Sequence, residues 1–269
     1  MKKKQINMLK VGLSMGLLFN PSMGVKASDV SWGIPKKGAE DIQPYPGVAY
    51  DLIVRENDAF YIGKPDDHAV YLTFDCGYEN GNLPTILDVL REEGVPALFF
   101  LTGYLMEEEP DLVLRMVHEG HLVGNHTYDH PNLTTVTRER FLDELKRAEE
   151  KFHEITGQEM DKYLRPPEGR FNQEVLDWAA EAGYYTVLWS LAYVDWNVDD
   201  QKGGAYAHEQ VMNKMHPGAI ILLHSTSSDN AAAMADLIPS IREAGYVFKS
   251  LQHLIASEIL EVEMGIELD

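Results

Sequence analysis

From Val70 onward, short apolar runs alternate with longer amphipathic stretches, and this alternation narrows the possible folds more than any other feature of the chain. Residues 69–74, 96–101, 121–124, 163–165, 184–189, 219–223 and 247–248 read as strands. Residues 83–93, 110–119, 138–156, 173–182, 208–215 and 231–244 read as helices, and a closing helix starts near Leu251. Gly94, Gly120, Gly157 and Gly245 stand where helices should stop, and Thr137 stands where the longest should be capped. Apolar strands separated by helices indicate an α/β architecture with a parallel sheet under covering helices. Six or seven such units in about 200 residues predict a barrel shorter and more irregular than the eightfold one.

The chain has 269 residues, 45% of them hydrophobic, which is enough for a sizeable core in one large domain or two small ones; no repeat or interdomain linker is visible. Residues 69–255 carry the β/α units, and residues 256–269 form a tail. Residues 28–68, rich in Gly, Pro and polar residues, read as an irregular arm tacked to the main domain by Trp32, Tyr45, Tyr50 and Phe60. A net charge of −20 argues against nucleic acid as a partner, because phosphate binding needs clustered Lys and Arg. The single cysteine, Cys76, excludes an intrachain disulfide.

Residues 1–27 read as an export signal: Lys2, Lys3, Lys4 and Lys10 precede a short apolar run, and Val25-Lys26-Ala27 offers a small-x-small cleavage site. The run is too short for a comfortable membrane span, though an uncleaved anchor is the other reading. Cleavage after Ala27 would remove five lysines and no acidic residue, taking the net charge from −20 to −25.

The stretch N-H-T-Y-D-H-P places His126 and His130 four residues apart on a short turn or loop, because Pro131 disfavours helix at His130. Two imidazoles aimed at one point make a half-site for a divalent metal such as zinc; two unremarkable histidines are the alternative. Four further residues sit at strand ends, where β/α barrels carry their chemistry. Asp75 follows the first apolar strand, placed either to take a proton from a metal-bound water or to satisfy a turn. Arg165 opens R-P-P-E-G, and its fork suits bidentate pairing with a carboxylate such as Asp75; a surface ion pair is the plainer reading. The two prolines stiffen that loop, so the backbone N–H of Glu168 can be aimed at an oxyanion. His224 ends I-I-L-L-H and can protonate a leaving amine or simply be structural, with Asp195 placed to accept its other ring proton. Trp196, Leu222 and Leu223 can wall a methyl-sized slot or serve as core.

T-F-D-C-G, H-T-Y-D-H, R-P-P-E-G, D-W and L-L-H-S resemble, in order and spacing, the five motifs of the polysaccharide deacetylase family (carbohydrate esterase family 4, the NodB homology domain), over roughly residues 71–251. The resemblance implies a distorted (β/α)7 barrel and metal-dependent removal of N-acetyl groups from amino sugars. It implies Asp75 as base, His126 and His130 as metal ligands, Arg165 as the partner of Asp75, and Asp195 as the tether of His224, the general acid.

F-D-C-G-Y-E-N-G is most similar to the sporulation branch of that family. This implies N-acetylmuramic acid in peptidoglycan glycan strands as substrate, on the way to the muramic δ-lactam of spore cortex, and a location in the cell wall or spore intermembrane space. Deacetylation of N-acetylglucosamine or chitin is the first alternative, and a non-catalytic glycan-binding protein the second. Arg170 is a candidate cation for the lactyl carboxylate, or a solvated loop residue. The chain departs from the family at Cys76, where members usually carry Asp as third ligand. A His–His–Cys zinc site is one reading; in the other, which is preferred, Cys76 does not bind and two histidines hold the metal weakly. The metal's identity and the oligomeric state are not encoded legibly.

Overall fold

The computed structural model describes residues 29–33, 43–47, 54 and 57–264, with side chains through Ser257. The export segment and Tyr50 lie outside the described residues. In chain order the strands are β1 (Val30–Ser31), β2 (Ala59–Phe60), β3 (Ala69–Cys76), β4 (Ala97–Leu101), β5 (Leu122–Asn125), β6 (Tyr163–Leu164), β7 (Arg170–Phe171), β8 (Tyr185–Val187), β9 (Ile220–His224) and β10 (Val247–Phe248). The helices are α1 (Leu83–Glu93), α2 (Gly103–Glu108), α3 (Pro110–His118), α4 (Arg138–Thr156), α5 (Gln173–Glu181), α6 (Gly204–Met212), α7 (Ser228–Glu243) and α8 (Leu251–Met264).

A parallel sheet runs in the order β10-β3-β4-β5-β6-β8-β2, and β9 pairs with β3 along residues 71–75. The far side curls back onto β9: Leu191, just beyond β8, bridges to Ile221, and Leu222 N–H donates to Leu191 O at 2.9 Å. The result is a curled, distorted β/α barrel. All eight residues of β3 are buried, as expected of a strand with a helix layer on one side and the barrel interior on the other.

Strand alternation sorts β3 into two sets. Val70, Leu72, Phe74 and Cys76 pack outward with α1 and α7 residues such as Ile86, Leu90 and Ile238. Ala69 and Tyr71 pack inward with Leu98, Phe100, Val187 and Ile220, and Leu251, Leu254 and Ile255 of α8 join that inner cluster. Each Val, Leu, Ile or Phe side chain in these sets contributes on the order of 1.5–3 kcal/mol by leaving water. Asp75, two residues beyond Thr73 on the inner set, is thereby aimed into the barrel mouth.

Most expected elements appear within two residues of their bounds. α1 and α4 match fully; Gly94 and Gly157 stop them at φ 61° and 68°, where a left-handed residue is needed. Thr137 caps α4 by accepting from Arg140 N–H. α6 instead starts at Gly204, four residues earlier than expected, because Asp229 of α7 accepts from Lys202 and Gly203 N–H and fixes the turn before it. α7 starts at Ser228, three residues early, under a Ser227 cap. α8 runs past the expected boundary at residue 255 to Met264. The arm is also less irregular than expected. It supplies β1, antiparallel to β7, and β2, parallel to β8. Trp32 is buried in it and Phe60 packs edge-on to Tyr185, whereas Tyr45 is exposed.

Candidate active site

Strand register does much of the positioning. Asp75 at the end of β3 is the register partner of His224 at the end of β9. On the other side, β5 ends at Asn125, so His126 emerges at the same mouth. Arg165, just beyond β6, lies fully buried beneath them.

The Asp75 carboxylate is shared. Oδ1 accepts from Arg165 Nη1 at 2.8 Å, and Oδ2 lies 3.5 Å from His126 Nε2. Burial alone would raise its pKa; the Arg165 cation, with His126 and His224, outweighs burial and holds it below the usual value. Asp75 is therefore ionised at neutral pH. The pairing with Arg165 is single, not bidentate as its fork suggests. The other two guanidinium nitrogens, Nε and Nη2, donate to Val187 O (3.1 Å) and Leu188 O (3.3 Å), and the group lies 4.2 Å over the Phe100 ring. Arg165 thus ties Asp75 to the end of β8.

His126 Nδ1 lies 2.8 Å from Arg165 O, which can only accept, so Nδ1 carries the proton and Nε2 keeps its lone pair. Burial pushes this imidazole down to about 4, so it is neutral at physiological pH. His130 stands beside it with ring centroids 4.8 Å apart. The turn between them is strained, with left-handed φ at Thr127 (65°) and His130 (55°). Glu144, fully buried on α4, holds the turn: Oε2 accepts from Tyr128 N–H at 2.8 Å and Asp129 N–H at 2.7 Å. Asn125 Oδ1 accepts from Thr127 N–H, and Gly103 leaves room for the Tyr128 ring, which a Cβ there would meet at 2.5 Å.

His224 Nδ1 bonds Asp195 Oδ1 at 2.8 Å, and its backbone N–H donates to Asp195 Oδ2, also at 2.8 Å. Burial opposes the charged imidazole, but Asp195 more than offsets it, and Asp75 adds to the effect, so the His224 pKa is raised. Asn230 Nδ2 donates to the same Asp195 Oδ2 at 2.7 Å, and Tyr193 bonds Asn230 in turn. With Nδ1 engaged, Nε2 is the nitrogen left to face a ligand.

These groups open on a cavity of about 680 Å³, within the range of small-molecule sites. Asp75, His126, His130, His224, Glu168, Trp196 and Leu222 all line it. Glu168 does so from a left-handed turn (φ 55°, ψ 13°), and Trp196 is exposed with its ring 5.6 Å from that of His224. Three of the candidate residues weighed above, Leu223, Arg170 and Cys76, are not in the cavity lining. Leu223 points to the outer cluster, one residue out of phase with Leu222. Arg170 is not in the lining and pairs with Glu168 at 3.0 Å. Cys76 is fully buried in the outer cluster, opposite in phase to Asp75, and burial raises its thiol well above the usual range. Sequence reading missed Glu144, Asn125 and Asn230, whose polar side chains in or beside apolar helical and strand patterns were the available signal. It also missed that Trp32 and Gly33 of the arm reach the cavity wall.

A neutral imidazole lone pair and a carboxylate oxygen 3.5 Å apart have no proton to share, so a shared cation would satisfy both. The donors fit a divalent metal held by His126 and His130. Among the described residues no group of three or more His, Cys, Asp or Glu is already arranged to hold a metal ion.

A family model described as polysaccharide deacetylase matches residues 62–187. The chain is 43% identical to the peptidoglycan-N-acetylmuramic acid deacetylase PdaA of Bacillus subtilis, over 84% of this chain and 86% of that one. It is 44% identical to an uncharacterized 30.6 kDa protein of Geobacillus stearothermophilus, over 89% and 90%. The solved structure of Bacillus subtilis PdaA, a family 4 carbohydrate esterase, superposes with a TM-score of 0.82, covering 86% of this chain and 98% of that one. With that likeness in sequence and fold, the chain belongs to the polysaccharide deacetylases of carbohydrate esterase family 4, hydrolases acting on amide bonds.

Proposed function

We propose that this protein removes the N-acetyl group of N-acetylmuramic acid in peptidoglycan glycan strands, on the route to the muramic δ-lactam of spore cortex. The observation that carries the deacetylase reading is the pair Asp75 and His224, in register at one cavity with pKa values driven apart. The likeness to PdaA supports muramic acid as the sugar. Ionised Asp75 takes a proton from water as its oxygen bonds the acetyl carbon. The N–H of Glu168 receives the developing oxyanion. Protonated His224 gives its proton to the amine as the C–N bond breaks, leaving acetate and a free amino sugar. Arg165 orients Asp75, Asp195 keeps His224 charged, and Trp196 and Leu222 face the acetyl methyl. His126 and His130 are the residues to hold a divalent cation, zinc foremost, which when bound supplies Lewis-acid polarisation.

A wall substrate places the enzyme outside the cytoplasm, which the basic and apolar start of the chain supports. Among the described residues no helix is long and apolar enough to cross a membrane. Mass analysis of sugars after incubation with purified glycan strands tests the substrate. Deacetylated muramic acid is expected, and deacetylation of glucosamine alone would overturn the assignment.

A further inference from the structure

We propose that residues 29–33 of the arm are a clamp on the active site, with Trp32 a positioning residue that fixes the turn carrying the Glu168 N–H. This rests on the reading above of that N–H as the oxyanion donor. The segment lies outside the stretch matched by the family model, residues 62–187.

Four consecutive residues, Asp29 to Trp32, tie together three loops of the cavity mouth. Asp29 Oδ2 accepts from Thr134 Oγ1, in the loop after His130, and Asp29 Oδ1 from Asn172 Nδ2, both at 3.3 Å. Val30 and Ser31 pair with Phe171 and Arg170. Trp32 N–H donates to Gly169 O at 2.9 Å, and Trp32 Nε1–H to Trp189 O at 2.9 Å.

The clamped turn needs holding. Glu168 and Gly169 adopt successive left-handed conformations, φ 55° and 63°, and a non-glycine residue there persists only when its surroundings over-determine it. A Cβ on Gly169 would lie 2.6 Å from the Trp189 ring and 3.1 Å from Trp32 O, so both tryptophans pack against the turn at this residue. Trp32 is 6% exposed and packs on Tyr61 and Phe171. Little of its face is left for a sugar to stack on, which separates a positioning role from that of a subsite wall. An oxyanion donor acts in the transition state, so loosening it lowers kcat and leaves KM nearly unchanged.

The test uses the full chain with Trp32→Phe, which keeps an aromatic ring but loses the Nε1 bond and part of the packing, and Asp29→Ala, which cuts two peripheral bonds. Steady-state deacetylation of glycan strands is measured beside hydrogen exchange of the peptide spanning residues 165–171. For Trp32→Phe, kcat is expected to fall about tenfold, short of the roughly 10²–10³-fold loss on deleting an oxyanion donor outright. KM should hold, and exchange at 168–171 should quicken. Asp29→Ala should show the same pattern at smaller amplitude. Unchanged kcat in both variants, a rise in KM alone, or activity loss that follows the thermal midpoint without local exchange would overturn the clamp. If the unmodified protein releases no acetate, the functional reading fails instead, and exchange at 168–171 alone decides whether the clamp exists.

Discussion

Asp75 and His224 are register partners on the neighbouring parallel strands β3 and β9, so the sheet itself sets the proposed proton acceptor and proton donor on one mouth of the barrel. This division of labour can be separated by leaving group. An amine must be protonated to depart, whereas an activated phenolate departs unaided. His224→Ala is expected to slow N-deacetylation by about 10²–10⁴-fold. Hydrolysis of an activated aryl acetate should fall far less. Equal losses on both substrates would remove His224 from the acid role.

Asp195 keeps His224 protonated against its burial. The His224 pKa is raised in the folded protein, so with His224 as the proposed acid the alkaline limb of the activity profile is expected above the ordinary histidine value. Asp195→Asn takes away the dominant opposing charge, and burial then lowers the pKa. The alkaline limb of kcat is expected to move toward lower pH, with activity lost first at high pH. The Asp195–His224 pair also stabilises the fold below the unfolded-state histidine pKa, and that contribution fades as pH rises through the folded value. Thermal midpoints across pH check it: the gap between the unmodified and variant proteins should narrow on the alkaline side.

Neutral His126 has its Nε2 lone pair free of protons down to about pH 4, and the proposed ligand set adds only His130 to it. Binding of a divalent cation should accordingly be weak and reversible. Chelator is expected to lower activity, and added zinc or another divalent ion to restore it. His126→Ala should abolish the response to metal, and Cys76→Ala should leave it intact, because that thiol faces the helix layer. Full activity of metal-free His126→Ala protein would exclude a metal role for this residue.

Glu144 is the fully buried carboxylate that holds the turn between the two histidines, and its other oxygen pairs with Arg140. Glu144→Ala removes two hydrogen bonds to a charged acceptor, for an expected stability loss on the order of 3 kcal/mol. With Thr127 and His130 no longer held in left-handed geometry, metal response should weaken as well. Denaturant unfolding and metal titration measure the two effects. A stable variant with unchanged metal response would show that the turn holds itself.

How much of this was legible depended on phase. The strand–helix alternation was plain because buried parallel strands are uniformly apolar, and Asp75, Arg165 and His224 were visible as charged or titratable residues ending such runs. Period-2 alternation, applied strictly, already separates Asp75 from Cys76 and Leu222 from Leu223. Element starts set by distant partners were not legible: α6 begins where Asp229, some twenty-five residues on, accepts two backbone N–H groups. Nor was Glu144, because a glutamate on a charged amphipathic helix looks solvated until the turn it holds is placed against it. The arm lacked periodicity because its order comes from pairing with β7 and β8 rather than from its own pattern.

The most direct measurement is acetate released from purified glycan strands by the unmodified protein and by Asp75→Asn, with amine formation counted on muramic acid. Acetate and muramic amine in equal amounts from the former, and a rate lower by about 10²-fold or more in a still-folded Asp75→Asn, is the expected result. Acetate release that survives the substitution within about tenfold would contradict the base at the end of β3 and the site built around it.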